Sequence, residues 1–140
     1  MINKELAEEL GLEAYTIRAI EDLHKYRADI FRISEQCTRD GLQRELYKEW
    51  MSVERQLQDL WGFDKDDDKI KFWNFPACSC PKMDNEDRYP YGYYIVNGGC
   101  IIHGDKVNSK DLTPEDIASV KGILSDEEAE EFYHRKIAGE

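Results

Sequence analysis

Three cysteines and one histidine form two short pairs in the second half of this sequence. One residue separates Cys78 from Cys80, nineteen residues follow, and two residues separate Cys100 from His103. A tetrahedral zinc site needs four nitrogen or sulfur donors that converge on one point, and a set without an open position is typically structural. A Cys-x-Cys turn and a Cys-x-x-His turn can each supply two donors. The spacing therefore predicts a closed, structural Zn²⁺ site made by Cys78, Cys80, Cys100 and His103.

Two alternatives remain open for the same residues. The cysteines can be buried or free thiols, or they can belong to a catalytic or redox centre. A catalytic zinc keeps one position open near a carboxylate, and Asp84 and Glu86 are close in sequence. If His103 is not a ligand, Asp84 can be the fourth donor or the base. However, the zinc-protease and deaminase signatures, the nucleophile elbow and the phosphate-binding loops are all absent. We therefore expect a protein that is not an enzyme.

Apolar periodicity predicts the helices that must position this site. Apolar or small residues recur at steps of three and four from Leu12 to Cys37, and again from Leu42 to Leu60. This is the pattern of amphipathic helices. The short break at residues 38–41 favours an antiparallel hairpin, stripe against stripe. Cys37 lies on the first stripe, so we expect it to be a small buried side chain.

The middle of the chain predicts a small β region. Residues 69–76 suit an extended segment, and residues 91–96 are rich in aromatic and β-branched side chains. Asn97, Gly98 and Gly99 tolerate the positive φ of a tight turn. So small a β region is marginal alone, and bound metal would supply folding free energy directly.

Two start signals predict short helices near the C-terminus. Thr113 can cap a helix whose first position is Pro114, and Ser125 and Glu128 have capping-box spacing. The predicted fold is therefore α+β and mostly α. It is one domain with three parts: a long antiparallel helical hairpin (1–62), a zinc-stabilised β module (69–104) and two short C-terminal helices (111–140).

The charge balance restricts the partners. The 140 residues carry a formal net charge of −11, whereas sequence-independent nucleic-acid binding normally needs a basic face. A basic protein partner fits better, and the candidate contact residues are acidic: Asp126, Glu127, Glu128, Glu130 and Glu131. The sequence has no apolar run of about 18 residues and no secretory signal, so we expect a cytoplasmic protein without a membrane span.

The N-terminal segment offers an alternative function. Ala7, Gly11 and Ile17 are spaced as in many helix-turn-helix units, and Thr16 and Arg18 would then face DNA. Nearby glutamates and the long apolar stripe argue against this interpretation. A DNA-binding transcriptional regulator is therefore the alternative hypothesis.

The block from Phe75 to Gly104 resembles a segment of small, uncharacterised phage and prophage proteins. The resemblance covers 30 of the 140 residues and rests on Cys78-Ser79-Cys80-Pro81, Asp84-Asn85, Tyr89-Pro90 and Cys100-x-x-His103-Gly104. It implies a phage accessory protein without naming an activity. A small, acidic, zinc-containing phage protein is also similar in general character to anti-CRISPR proteins, which bind and block a nucleic-acid-handling nuclease. The resemblance thus implies a non-enzymatic inhibitor of a host protein, such as a CRISPR effector nuclease, in the bacterial cytoplasm.

Overall fold

Helices account for the secondary structure of the described chain. The computed structural model describes residues 4–62, 70–89, 93–104 and 113–138, with side chains to residue 134 in the last range. The elements in chain order are α1 (Lys4–Glu9), α2 (Ala14–Gln36), α3 (Asp40–Trp61), a 3₁₀ turn (Phe72–Asn74), α4 (Lys82–Arg88), α5 (Pro114–Ile123) and α6 (Asp126–Ala138). The prediction of a mostly helical protein is confirmed. None of the described helices combines the length and apolar character that a bilayer crossing requires.

The predicted β region is not observed in the described residues. Residues 72–74 of the first predicted segment form the 3₁₀ turn, and residues 93–97 belong to no strand. Residue 69 and residues 90–92 lie outside the described ranges. Backbone groups of residues 93–97 form hydrogen bonds with side chains instead of with a neighbouring strand.

The long hairpin is confirmed. Contacts between α2 and α3 join Ser34 to Gln43, Tyr26 to Glu49 and Arg27 to Glu54, so the separation grows away from the turn, as in an antiparallel pair. Most positions of the two predicted stripes are buried: Leu23, Tyr26, Ile30 and Ile33 on α2, and Leu42, Leu46, Trp50, Val53 and Leu57 on α3. The first stripe is wrong at its start, because Tyr15 is 74% exposed and Ile20 is buried instead. Leu12, Ala19 and Leu60 are partly buried. Cys37 is buried at the end of the first stripe, as predicted.

A buried glutamine closes the hairpin turn. Gln43 is only 2% exposed, and its amide nitrogen donates to the carbonyl oxygens of Ser34, at 2.8 Å, and Cys37. The Ser34 hydroxyl donates to the Gln43 carbonyl oxygen at 2.7 Å. The last carbonyls of a helix lack partners inside that helix. Gln43 therefore caps the C-terminal end of α2 from the first turns of α3.

We expect Gln43→Leu to lower the free energy of unfolding by about 1–3 kcal/mol, because it leaves buried carbonyls without a donor. Chemical denaturation measures this loss. Gln56→Leu is the matched control, since Gln56 is exposed on the same helix, and its effect should stay within about 0.5 kcal/mol. Equal losses in the two variants would contradict the capping role.

The C-terminal helices pack on α2. The Phe132 ring lies 5.1 Å from the Tyr26 ring, and Ala129 is fully buried beside it. Both predicted start signals are observed. The Thr113 hydroxyl accepts from the backbone N–H of Asp116 at 3.2 Å. Ser125 and Glu128 form a reciprocal capping box with distances of 3.2 and 3.1 Å.

Ion pairs reinforce this packing. Arg32 on α2 bonds Glu128 at 2.8 Å, and Lys25 bonds Glu131 at 3.1 Å. Arg39 donates to the buried carboxylate of Asp116 at 2.7 Å. Burial alone would raise the pKa of Asp116, but bonds from Thr113 and Arg39 outweigh it and lower that pKa below its ordinary value. Asp116 is therefore a charged anchor between α5 and the hairpin turn.

Candidate metal centre

Four donor side chains converge at one point beside α3. The ligand atoms of Cys78, Cys80, Cys100 and His103 all lie within 4.8 Å of one another. Histidine Nδ1 lies 3.4 Å from the Cys78 sulfur and 3.6 Å from the sulfurs of Cys80 and Cys100. The sulfurs of Cys78 and Cys100 are 3.8 Å apart. The predicted set is thus brought together, and it can hold a metal ion.

The distances match the edges of a tetrahedral zinc site. With Zn–S near 2.3 Å and Zn–N near 2.0–2.1 Å, tetrahedral angles place sulfur about 3.8 Å from sulfur and about 3.6 Å from nitrogen. Four of the six donor separations, 3.8 Å between the sulfurs of Cys78 and Cys100 and 3.4–3.6 Å from Nδ1 to the three sulfurs, agree with these edges. All six separations lie within 4.8 Å, so the four residues can hold a metal ion.

Two tight turns present the donors. In the first, the Cys78 N–H donates to the carbonyl oxygen of Phe75 at 3.0 Å, and Pro81, directly after Cys80, is the N-cap of α4. In the second, the Gly104 N–H donates to the carbonyl oxygen of Cys100 at 2.9 Å. A Cβ on Gly104 would lie 2.4 Å from the Gly98 carbonyl oxygen. Only glycine therefore allows the backbone to close behind His103.

Backbone N–H groups point at the sulfurs. The Ser79 N–H lies 3.4 Å from the Cys100 sulfur, and the Asn97 N–H lies 3.5 Å from the Cys80 sulfur. Burial would raise the pKa of Cys100, but N–H bonds from Ser79, His103 and Ile102 outweigh it and lower that pKa to about 6. Because thiolates are the form that binds metal, these bonds favour the ligand state.

Burial also changes the pKa values of Cys78 and Tyr47. It raises the pKa of the Cys78 thiol, which also lies near two further sulfurs. Burial and the same sulfurs raise the pKa of Tyr47 to about 12. In the metal-free protein the raised pKa therefore favours the neutral Cys78 thiol, because an unpaired buried charge is costly. A divalent cation at the four donors would favour the thiolate form.

Aromatic side chains hold the imidazole of His103. Its ring centroid lies 4.9 Å from that of Tyr47 and 4.7 Å from that of Phe72, both edge-on. These contacts direct Nδ1 toward the sulfurs. Nε2 is buried and has no hydrogen-bond partner within the described residues. His103 therefore has a single orientation in which Nδ1 is the ligand atom.

The centre is packed onto the hairpin. Phe75 is completely buried, with its ring 5.3 Å from Tyr47 and 5.7 Å from Trp50 on α3. The neighbouring Trp73 is also fully buried, and its indole N–H donates to Glu86 on α4 at 2.9 Å. The described residues between 70 and 104, which we call the metal module, therefore share one core with the hairpin.

Asn85 is an organising residue that the periodicity of the sequence did not reveal. It is fully buried on α4. Its amide accepts from the N–H of Ile95 at 2.7 Å and donates to the carbonyl oxygen of Ile95 at 3.1 Å. The Asn85 side chain thus makes the two backbone hydrogen bonds to Ile95 that a neighbouring strand would otherwise make. The only sequence signal was its place beside Asp84 in the block from Phe75 to Gly104.

The carboxylates considered as alternative ligands lie elsewhere. Asp84 is exposed on α4. Glu86 bonds Trp73 and Lys71, and these bonds lower its pKa. The four-donor group contains neither residue. The geometry therefore favours a closed centre over one with an adjacent carboxylate.

The predicted partner-binding acids divide into two groups. Glu128 and Glu131 form the ion pairs with α2 described above. Asp126, Glu127 and Glu130 are exposed and follow the i, i+1, i+4 spacing of one helix side. We call these three residues the outer acidic side of α6.

The N-terminal elements match the helix-turn-helix interpretation in position. α1 is followed by Gly11, with a φ of 67°, and then by α2. Arg18 is exposed and Thr16 is partly buried. However, α2 continues for 23 residues into the hairpin, and the exposed surface of α1 is acidic, with Glu5, Glu8 and Glu9.

Comparisons with protein-family models, with curated proteins and with solved structures find no significant similarity to this chain.

Proposed function

We propose that this protein is a non-enzymatic, zinc-stabilised binding protein that attaches through an acidic surface to a basic protein partner. The observation that supports the proposal is the convergence of three cysteines and one histidine beside α3, with their ligand atoms within 4.8 Å of one another. Three thiolates and one imidazole are the ligands that structural zinc prefers, and they leave no coordination position for a substrate. The metal ion then stabilises the fold that presents the acidic surface.

The charge distribution supports a basic partner. The formal net charge is −11, and the outer acidic side of α6 places three carboxylates next to one another. Like charges at helical neighbours destabilise a helix by about 0.2–0.5 kcal/mol per pair. A positively charged partner removes that repulsion and accelerates association.

The proposed kind of partner rests on the expected likeness of the block from Phe75 to Gly104 to phage proteins. CRISPR effector nucleases hold nucleic acid in a positively charged channel. An acidic protein of this size can occupy such a surface and exclude the nucleic acid. We therefore propose inhibition of a nucleic-acid-handling host nuclease in the bacterial cytoplasm.

The test is affinity capture from nuclease-treated bacterial lysate, with identification of the bound proteins by mass spectrometry. We expect a nucleic-acid-handling enzyme that the protein binds in competition with DNA or RNA. The variant Asp126→Lys, Glu127→Lys, Glu130→Lys should weaken this capture by at least about tenfold, because each reversal replaces attraction by repulsion.

The control variant reverses the same number of acidic charges on a different helix. Glu5→Lys, Glu8→Lys, Glu9→Lys alters three exposed acids of α1 and should leave most of the binding intact. Equal loss in both variants, or capture of no nucleic-acid-handling protein, would contradict the proposal. Tight binding of the wild-type protein to random duplex DNA at low salt would instead favour the DNA-binding alternative.

A further inference from the structure

Residues 93–97 have the hydrogen-bonding pattern of a strand with one satisfied edge. Along that edge, the Tyr93 carbonyl oxygen accepts from Arg88 at 3.3 Å. The N–H and carbonyl of Ile95 both bond Asn85, and the Asn97 N–H points at the Cys80 sulfur. In an extended chain the N–H and C=O of alternate residues point to the same edge. Residues 93, 95 and 97 therefore define one edge, bound by α4 and the metal centre.

The opposite edge is open. It presents the backbone groups of Tyr94 and Val96, and within the described residues these groups make no hydrogen bond. The side chain of Tyr94 packs on the aromatic core, with its ring 5.0 Å from that of Trp73 and 5.8 Å from that of Phe72. The edge is thus fixed in place by the aromatic core and the metal module, and it is available for pairing.

The composition of this segment is unusual for an unpaired edge. Soluble proteins protect such edges with lysine, proline, charge or a covering element. Residues 93–97 read Tyr-Tyr-Ile-Val-Asn, without a charge or a proline. Tyr93 is 93% exposed and Val96 is 50% exposed. These residue types are the ones that favour strands.

We infer that the open edge at Tyr94 and Val96 binds an extended, basic segment of a partner protein by β-strand addition. In this mode main-chain hydrogen bonds provide affinity and alternate side chains provide specificity. The net charge of −11 favours lysine or arginine in the added strand. A second copy of this chain would bring another −11 and is disfavoured by repulsion. The inference rests on the proposed function and names the partner's contact element.

The probe is a fluorescein-labelled peptide, Lys-Val-Thr-Val-Lys-Val-Thr-Val-Lys, titrated into the full, metal-loaded protein and followed by fluorescence anisotropy. We expect saturable binding that the analogue with glutamate in place of lysine lacks. Val96→Pro should weaken binding by at least about tenfold, since proline removes the edge N–H yet is tolerated on edge strands. Val96→Thr is the matched control, because it keeps the N–H, and should bind like wild type.

Amide hydrogen exchange provides a readout that needs no variant. The peptide should slow exchange at Tyr94 and Val96, while Ile95, already bonded to Asn85, should change little. The inference is overturned if the peptide does not bind at about 1 mM, if it leaves both amides unprotected, or if a folded Val96→Pro binds as wild type. A dimer that Val96→Pro abolishes would overturn it in favour of a second copy.

The two proposals fail separately. The peptide assay does not depend on α6, whereas the lysate capture compares charge reversals on α6 and α1. Peptide binding without the α6 effect would contradict the placement of the acidic surface alone. The α6 effect without peptide binding would contradict the strand-addition inference alone.

Discussion

Cys80→Ser is expected to lose its metal and, with it, most of the ordered structure of residues 70–104. The described part of this region has one 3₁₀ turn and one helix of 7 residues, and its two donor turns meet at the cluster and at the contact of Asn97 with Ser79. In small zinc domains, metal binding supplies an apparent free energy of about 10–16 kcal/mol, and the metal-free chain is unfolded. Metal analysis by mass spectrometry and thermal unfolding by circular dichroism measure the two losses.

Chelation should reproduce the effect in the wild-type protein. Acidification should do the same, because protons compete with the metal for the thiolates. Cys37→Ser is the matched control: Cys37 is also a buried cysteine but caps the C-terminal end of α2, outside the donor group. It should keep the full metal content. A wild-type protein that holds less than about half an equivalent of zinc, or a Cys80→Ser protein with unchanged metal, would refute the assignment.

Phe75→Ala is expected to lower the free energy of unfolding by about 3–5 kcal/mol, the usual cost of removing a buried phenylalanine side chain. Phe75 is 0% exposed and contacts Tyr47 and Trp50. Natural domains are stable by only about 5–15 kcal/mol. The loss is therefore large enough to affect the hairpin as well as the metal module.

The measurement is chemical denaturation, followed both by far-ultraviolet circular dichroism for the helices and by release of the metal. The two signals should shift together, because the module and α3 share one core. Phe75→Leu should lose less, since it retains part of the apolar volume. Metal release at lower denaturant with unchanged helix unfolding would show that the two parts are independent.

The helices and the donor set could be predicted because their signals are local. The stripes of α2 and α3 reflect burial on one helix face, and the starts of α5 and α6 reflect caps within four residues. The donors could be predicted from ligand chemistry alone. Their tetrahedral arrangement required the backbone turns at Cys78 and Gly104, and residue types do not specify such turns by themselves.

The missed features depend on polar side chains that are buried. α4 has no apolar stripe, because its one buried residue is Asn85. Gln43 and Asn85 both use side-chain amides to satisfy backbone groups from other segments. Patterns that assign polar residues to the surface cannot find them. Asn85 also explains why a segment with strand-forming composition lacks a neighbouring strand on that side.

The division of the α6 acids could not be predicted for a different reason. Apart from the capping-box spacing of Glu128, the five carboxylates have the same sequence character, and the position of α2 determines which of them form ion pairs with it. Glu128 and Glu131 pair with Arg32 and Lys25, which lie roughly a hundred residues earlier in the chain. Long-range pairs of this kind leave no local pattern.

The sequence separations of these contacts predict an order of assembly. The bond from Ser34 to Gln43 closes 9 residues and the contact of Cys78 with His103 closes 25, whereas that of Lys25 with Glu131 closes 106. The entropy lost on closing a loop grows with its length. We therefore expect the hairpin and the metal module to form first, and α5 and α6 to dock last onto a nearly finished surface. The same two helices are then the first to detach in native-state fluctuations, so the outer acidic side of α6 belongs to the most easily opened unit of the protein.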